Sequence, residues 1–566
     1  PMVLASAFTL LFARPAAVLA DTTAIEPFPG VDKAPKEICD LLDDPELRPI
    51  MDAVLVRLLI ECGRENELGQ VHQEVSDEVT VTEAERAPDV QVNDSSGDSG
   101  SSTTQSETSL ATNPVTGTIC SGYNDSYHGV VQGTGYTGFS RSTDGGATFE
   151  DLGALGANSG GDPSLVWRKA DGSFYFAALE NNGLGVWQSA DDCQSFQYLG
   201  NSHVSGADDK ELLAVDNADL SPFYGRLYMA WKDFGSDSRI YVNYSSDGGQ
   251  TWSSALGVSA PGASAQGAWP AVAPNGDVYV GWVRWRSNVV DMEIVRSTDG
   301  GASFAPVTNP ATGKTNPQDG SATSNCFRQA LRGNIRYLPS PQLAVGPDGA
   351  LHVVYSYDPD GAGSGDTVDA FYRRSTDSGA TWEPEVRLND DATTTDQFFP
   401  TLSVGANNIV AAAWYDRRND PTNMMVDYYQ RLSYDGGATW EPNVRLSDVS
   451  TPIYIDPNLA TCYHGDYDQS IQTDAFVLTQ WADDRNLQGG HNDPDVYFET
   501  TPLSTDFLVL ANPGRVPVCA PADAVFDVDV LQFQGFAEAV LLSTSGEPAG
   551  TTTGFSVNPV TPPGAS

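Results

Sequence analysis

The chain has 566 residues, with 30 Lys and Arg against 75 Asp and Glu, and a formal net charge of −45 at pH 7. A chain so acidic makes a poor partner for duplex nucleic acid or an anionic membrane. Past the first twenty residues, no run approaches the ~18–20 apolar residues needed to span a bilayer. The charge fits a solvated surface suited to salty surroundings, or clustered Asp that bind divalent cations.

Residues 1–20, PMVLASAFTLLFARPAAVLA, carry an apolar run and end in small residues, with Val18 and Ala20 at the −3 and −1 positions before Asp21. That is the pattern of a secretory signal, so bacterial-type export to the medium or the cell surface is expected. Seven cysteines fit an oxidising compartment and leave one unpaired, and no CxxC pair suggests zinc or redox chemistry. Residues 21–69 read as a small helical segment: Ile38, Leu41, Leu42, Ile50, Val54, Leu58 and Leu59 recur at helical spacing, broken by Pro45 and Pro49. Cys39 and Cys62 lie one in each piece and either clamp the hairpin or remain free thiols. Residues 70–86 are acidic, without apolar periodicity, and read as a linker.

From about Asp89 the composition turns to short alternating runs of Val, Tyr, Phe and Trp between Gly, Asp and Pro turns. One octapeptide punctuates this region. It reads STDGGATF at 142–149, SSDGGQTW at 245–252, STDGGASF at 297–304, STDSGATW at 375–382 and SYDGGATW at 433–440, with a degraded copy, SADDCQSF, at 189–196. Asp can accept backbone N–H bonds across a tight turn, the glycines supply positive φ, and the closing aromatic is an apolar anchor. Copies at this spacing indicate a repeat architecture. The pattern resembles the Asp box (BNR repeat) of the sialidase-like β-propellers, over about residues 87–503.

Aligned on the octapeptides, the region yields units of four strands, a to d. Seven strand-a and strand-b candidates recur, the b strands including RLYMAW, DVYVGW, IVAAAW and FVLTQW. The last unit, 467–500, lacks its strand d. Residues 88–94 (PDVQVND) match the strand-d sequences PEVRLND (384–390) and PNVRLSD (442–448), so they are expected to pair with 495–500 and close a seven-bladed ring. Six blades, the number in the sialidases, is the alternative, with 162–199 as an elaborated loop. The tail, 504–566, resembles the Ig-like modules of bacterial secreted proteins, with too few strands for a whole sandwich. A second disulfide is expected between Cys326 and Cys462.

In a propeller the octapeptide turns would lie on one face as scaffold, and the b–c and d–a loops would open on the other. There the sequence gathers Trp231, Asp233, Trp282, Trp414, Asp416, Trp481, Asp484 and His464 as candidate binding residues for a glycan or a cell-surface protein. The resemblance also implies exo-α-sialidase chemistry as an alternative, with three Arg on a carboxylate, a Tyr nucleophile polarised by Glu, and an Asp acid. Candidates are Arg284, Arg417 and Arg485 with Tyr467 or Tyr463, Glu211 and Asp162, although the Arg-Ile-Pro motif of those enzymes is absent. Asp416–Arg417 and Asp484–Arg485 could instead be inter-blade salt bridges, since a W-x-D-x-R spacing recurs. No cofactor is implied beyond structural Ca²⁺, for which Asp358, Asp360 and Asp366 are one candidate loop and 491–495 (HNDPD) another; solvated acidic loops are the alternative.

Overall fold

The computed structural model describes residues 88–503, except for short stretches of which 99–103, 317–329 and 454–461 are the longest, together with parts of 507–565. The chain divides into two compact units, 88–503 and the remainder. The signal segment, the helical hairpin with Cys39 and Cys62, and the acidic linker lie outside the described residues.

Residues 88–503 form a seven-bladed β-propeller. Each blade is an antiparallel sheet of four strands, in chain order in the first six, and the fourth and sixth blades carry a fifth short strand. The second unit is a full blade, Ser164–Arg168, Ser173–Glu180, Gly183–Ser189 and Gln197–His203, which removes the six-bladed alternative. The second strands are the most deeply packed. Leu351–Tyr357 and Val410–Asp416 are buried at every position, because neighbouring blades cover both faces of the sheet.

The ring closes as the strand-d pattern implied. Val90–Gln91 pairs antiparallel with His491–Pro502, placing Val90 opposite Phe498 and Gln91 opposite Tyr497. The shared PxVxLxD-like pattern has a second use between blades. Asn443 N–H donates to Asp390 Oδ2 at 3.0 Å, linking blades six and five. At the corresponding seam, Asp448 N–H donates to Asp89 Oδ2 at 2.9 Å, and Asp94 N–H donates to Asp151 Oδ2 of the first blade at 2.8 Å.

The octapeptide turns share one geometry. Ser142 Oγ donates to Asp144 Oδ1 at 2.8 Å, Thr148 Oγ1 to Asp144 Oδ2 at 2.6 Å, and Gly146 N–H to Ser142 Oγ at 2.9 Å. In the degraded copy, Cys193 replaces the second glycine, keeps a positive φ of 66°, and forms a disulfide with Cys120 at a Cα separation of 5.9 Å. That bridge joins the first two blades and was not among the expected pairs. Cys462 is disulfide-bonded, but Cys326 lies outside the described residues. The described part of the tail is a three-stranded antiparallel sheet, Phe507–Asn512, Asp527–Gln532 and Gly564–Ala565, with Val530, Val540, Leu542 and Val560 in a small apolar cluster.

Candidate functional site

The innermost strands begin at the end of the ring opposite the octapeptide turns, and several begin with a bulge. The pairing register shifts between Ser106 and Ser109, Asp209 and Leu212, Gln266 and Trp269, and Phe398 and Thr401. Within these bulges Glu107, Lys210, Gly267 and Phe399 have φ of 52°, 51°, 70° and 47°, and Asp162 in the second blade has 56°. A ring of hydrogen bonds shows that these positions correspond. Leu165 N–H donates to Ser109 Oγ at 2.9 Å, Leu213 N–H to Ser164 Oγ at 2.8 Å, Ser470 N–H to Thr401 Oγ1 at 3.0 Å, and Leu110 N–H to Gln469 Oε1 at 2.7 Å. Two residues before each acceptor stand Glu107, Asp162, Phe399 and Tyr467; Lys210, Gly267 and Ser340 hold the same place in the remaining blades. Left-handed backbone at a non-glycine residue costs about 1–3 kcal/mol and concentrates at functional sites. Here it turns a glutamate, an aspartate and a lysine towards the axis.

These groups form one buried network. Lys210 Nζ lies 2.8 Å from Glu107 Oε1 and 3.0 Å from Asp466 Oδ2, and its N–H donates to Asp162 Oδ2 at 3.0 Å. Arg336, from the long insertion before the fifth blade, donates to both Asp466 oxygens at 2.5 and 3.2 Å and lies over the Tyr463 ring. Asn124 Nδ2 reaches Glu107 Oε2 at 3.0 Å and Tyr463 Oη at 2.5 Å, while Asn124 Oδ1 accepts from Asp162 N–H at 2.8 Å. Burial, reinforced by Asp162 and Asp466 and opposed by Lys210, pushes the Glu107 carboxyl up to about 7. Burial likewise raises Asp162, against the pull of Lys210. For Asp466 burial is outweighed by Arg336 and Lys210, which hold it well below the usual carboxylate range. The cluster therefore contains a fixed ion pair and a carboxyl pair able to keep a proton near neutrality.

Beside it is a small pocket, lined by Lys210, Gly267, Trp269, Ser340, Phe399, Asp466 and Tyr467 among others, with a cavity volume of about 20 Å³. That is room for a water or two. Lys210 Nζ stands 4.9 Å from the Tyr467 ring centre, and Trp269 meets Tyr467 edge-on. Glu211 is fully buried, neither carboxylate oxygen has a hydrogen-bond partner, and burial followed by the charge of Asp162 raises it well above its ordinary value.

Asp162, Glu211 and Tyr467 thus come together, as candidates for one site should. The three arginines do not. Arg284 pairs with Glu293 of its own blade at 2.9 Å. Arg417 is buried against Asp396 at 3.1 Å. Arg485 binds Asp483, Asp89 and Asp448 at 2.6, 2.6 and 2.5 Å. The recurrent W-x-D-x-R spacing is a structural device, with partners other than those expected. Trp414 Nε1 donates to Asp416 Oδ2 at 2.8 Å and Arg418 also binds Asp416; Trp481, Asp483 and Arg485 repeat the arrangement. Each Arg then covers the ring opposite its Trp, Tyr429 or Tyr497, and reaches the preceding blade at Asp390 or Asp448.

The expected binding tryptophans are correspondingly unavailable. Trp231, Trp282, Trp414 and Trp481 are at most 2% exposed, wedged between blades, and each indole N–H is spent on a carboxylate. Asp416 and Asp484 are buried too, Asp484 beside His464 Nε2 at 3.2 Å. Burial opposes charge on His464, but Asp484 outweighs it and raises the imidazole. Asp233 ends the second strand of its blade, opposite Asp208. In the other candidate loop, Asp358 accepts from the N–H groups of Asp360 and Gly361 and so caps its own turn, and Asp366 lies outside the described residues.

Tyr463, the sequence's alternative to Tyr467, lies in this network; Lys210, Asp466, Asn124 and Arg336 were not singled out from sequence. The signal for Lys210 and Asp466 was their place immediately before a strand a; nothing local marks Arg336, which arrives from an insertion. No family model and no curated protein matches the sequence. Among solved structures, the chain is similar to an α-L-arabinofuranosidase of Fusarium graminearum at 12% identity and TM-score 0.40, over 74% of this chain and 98% of that one. It is similar to an α-L-arabinanase of Penicillium chrysogenum at 15% and 0.38, over 74% and 98%. It is also similar to a Hadza microbial sialidase at 14% and 0.37, over 75% and 71%. At these values the likeness says nothing about activity, and the blade count rests on the strand pairing.

Proposed function

We propose that the protein is an exported, sialidase-like propeller that binds a neutral, hydroxyl-rich carbohydrate at the axial mouth formed by Glu107, Asp162, Lys210, Trp269 and Tyr467. The observation that carries this reading is the strained backbone: equivalent positions of three successive blades aim charged side chains at one point beside two aromatic rings. Carboxylates and amines exchange hydrogen bonds with sugar hydroxyls, and aromatic faces pack on sugar C–H surfaces. A net charge of −45 disfavours a polyanionic ligand, which argues for a neutral sugar. The closed network supports binding rather than turnover. Arg336 and Lys210 are already neutralised by Asp466 and Glu107, and the cavity of about 20 Å³ leaves no room for a sugar ring among the acids, so a sugar would rest on the mouth above them.

One observation favours a second reading, glycoside hydrolysis of exo-sialidase or related type. Glu107, held near 7, adjoins Asp162 and shares Asn124 with Tyr463, the ingredients of an acid/base pair with a nearby phenol. A glycan array with wild-type protein and the Trp269→Ala and Asp162→Asn variants, each checked for folding by circular dichroism, tests the first reading. Wild type is expected to retain neutral glycans, and both variants to lose at least about tenfold in affinity. Absence of glycan binding by folded wild type would refute it. Turnover of an aryl glycoside or a fluorogenic sialoside, abolished in Glu107→Gln, would establish the second.

A further inference from the structure

Three acidic side chains far apart in sequence meet at the seam where the ring closes. Asp98 lies between the closing strand and the first blade, and Asp493 and Asp495 lie on the outward course of the last hairpin. One carboxylate oxygen from each lies within 4.8 Å of the other two, and all three residues are buried. Asp98 is 7% exposed; its Oδ2 accepts from Gln105 Nε2 at 3.3 Å, whereas its Oδ1 is buried without a hydrogen-bond partner. Asp495 is held by the side-chain amides of Asn93 at 2.6 Å and Asn486 at 2.5 Å, one from each side of the seam.

We infer that this seam binds a divalent cation of the calcium type, held by Asp98, Asp493 and Asp495. The donors are all oxygen, which selects a hard cation over zinc or copper. Among the described residues, the charged groups bearing most on Asp98 are the acids Asp493, Asp495 and Asp125, and Asp125 in turn holds His128. Burial and these neighbours push Asp98 up to about 9, and burial, opposed by the two amides, pushes Asp495 up to about 7. A cation among three buried carboxylates turns their mutual repulsion into attraction. The unpartnered Asp98 oxygen then gains a ligand. The cation would tie residues 88–98 to the last blade and so lock the ring shut, a role separate from carbohydrate binding at the axis.

The test uses the full chain, stripped with a chelator and titrated with Ca²⁺ and, separately, Tb³⁺. Thermal unfolding and terbium luminescence sensitised by nearby tyrosines such as Tyr127, which packs on Gly97, are the readouts. Wild type is expected to gain several degrees in Tm at saturating Ca²⁺. Ca²⁺ should displace Tb³⁺. Asp98→Asn and Asp493→Asn are each expected to weaken binding at least tenfold, while Asp358→Asn, in the other acidic loop, is expected to bind as wild type does. Should Asp493→Asn fail to fold, Asp98→Asn, which changes a side chain whose Oδ1 has no hydrogen-bond partner, carries the test. Wild type without a Ca²⁺-dependent shift or luminescence would overturn the inference, as would a folded Asp98→Asn that binds undiminished.

Discussion

Arg417→Ala separates a structural arginine from a catalytic one. The guanidinium is 1% exposed and its carboxylate partner Asp396 is fully buried. Arg417 Nη1 donates to Asp396 Oδ2 at 3.1 Å, to Arg332 O at 3.1 Å and to Asn423 O at 2.9 Å, and the group lies 5.3 Å from the Phe398 ring centre. Truncation leaves Asp396 buried beside empty space. Burial already raises that carboxyl even with Arg417 present. Breaking one side of such a pair costs about 3–5 kcal/mol, whereas replacing both sides with neutral groups costs much less. With a urea m-value of about 4 kcal/mol/M for a domain of this size, the unfolding midpoint should fall by about 1 M. Arg417→Met with Asp396→Asn should recover more than half of that loss. A single variant within about 0.5 kcal/mol of wild type, the ordinary spread for surface changes, would refute the assignment. So would a double variant no better than the single one.

Two further outcomes are expected. Gly267→Ala drives a Cβ into Ser340 Oγ at a φ of +70°, so a loss of about 1–3 kcal/mol is expected in unfolding experiments, and adding Ser340→Gly should restore the steric part only. Stability should also peak in mild acid. Hydrogen bonds from Thr148 and Ser303 hold Asp144 and Asp299 down at about 2, so their contribution is full above about pH 4 and is lost as pH falls towards 2. These groups are almost fully exposed, which keeps the effect small. Asp98 at about 9 and Asp89 at about 7, both raised mainly by burial, have the opposite sign, so in the absence of Ca²⁺ stability falls as pH rises from about 4 to 9. Tm measured from pH 3 to 9 with chelator present checks both limbs, and a flat profile would contradict them.

The blade count and the closure were legible because they depend on local chemistry that each blade must repeat. An octapeptide that folds on its own Ser, Asp and Thr looks the same wherever it occurs, and PxVxLxD announces an outer strand even when cut from its blade. The site was legible only in part. Asp162 and Glu211 could be read because they adjoin a strand a, but Arg336 enters from an insertion with no repeat to align it. Cys193 was misread as damage to the octapeptide. It occupies the second glycine's place, keeps that residue's left-handed backbone, and uses the position to reach Cys120.

The W-x-D-x-R recurrence shows where composition misleads. Trp, Asp and Arg on one loop face are what a sugar pocket uses, and they are also what a blade uses to bolt itself to its neighbour. Recurrence distinguishes the two. A device repeated with the same partners in consecutive blades, as at Trp414–Asp416–Arg418 and Trp481–Asp483–Arg485, serves the ring. A binding site in a ring of equivalent positions must break the symmetry, because its ligand is not sevenfold. The seven positions at the axis do so: Glu107, Asp162, Lys210, Gly267, Ser340, Phe399 and Tyr467 share a place in the fold and almost nothing in chemistry. Variation at constant geometry places the candidate site there, and constancy elsewhere marks the scaffold that holds it.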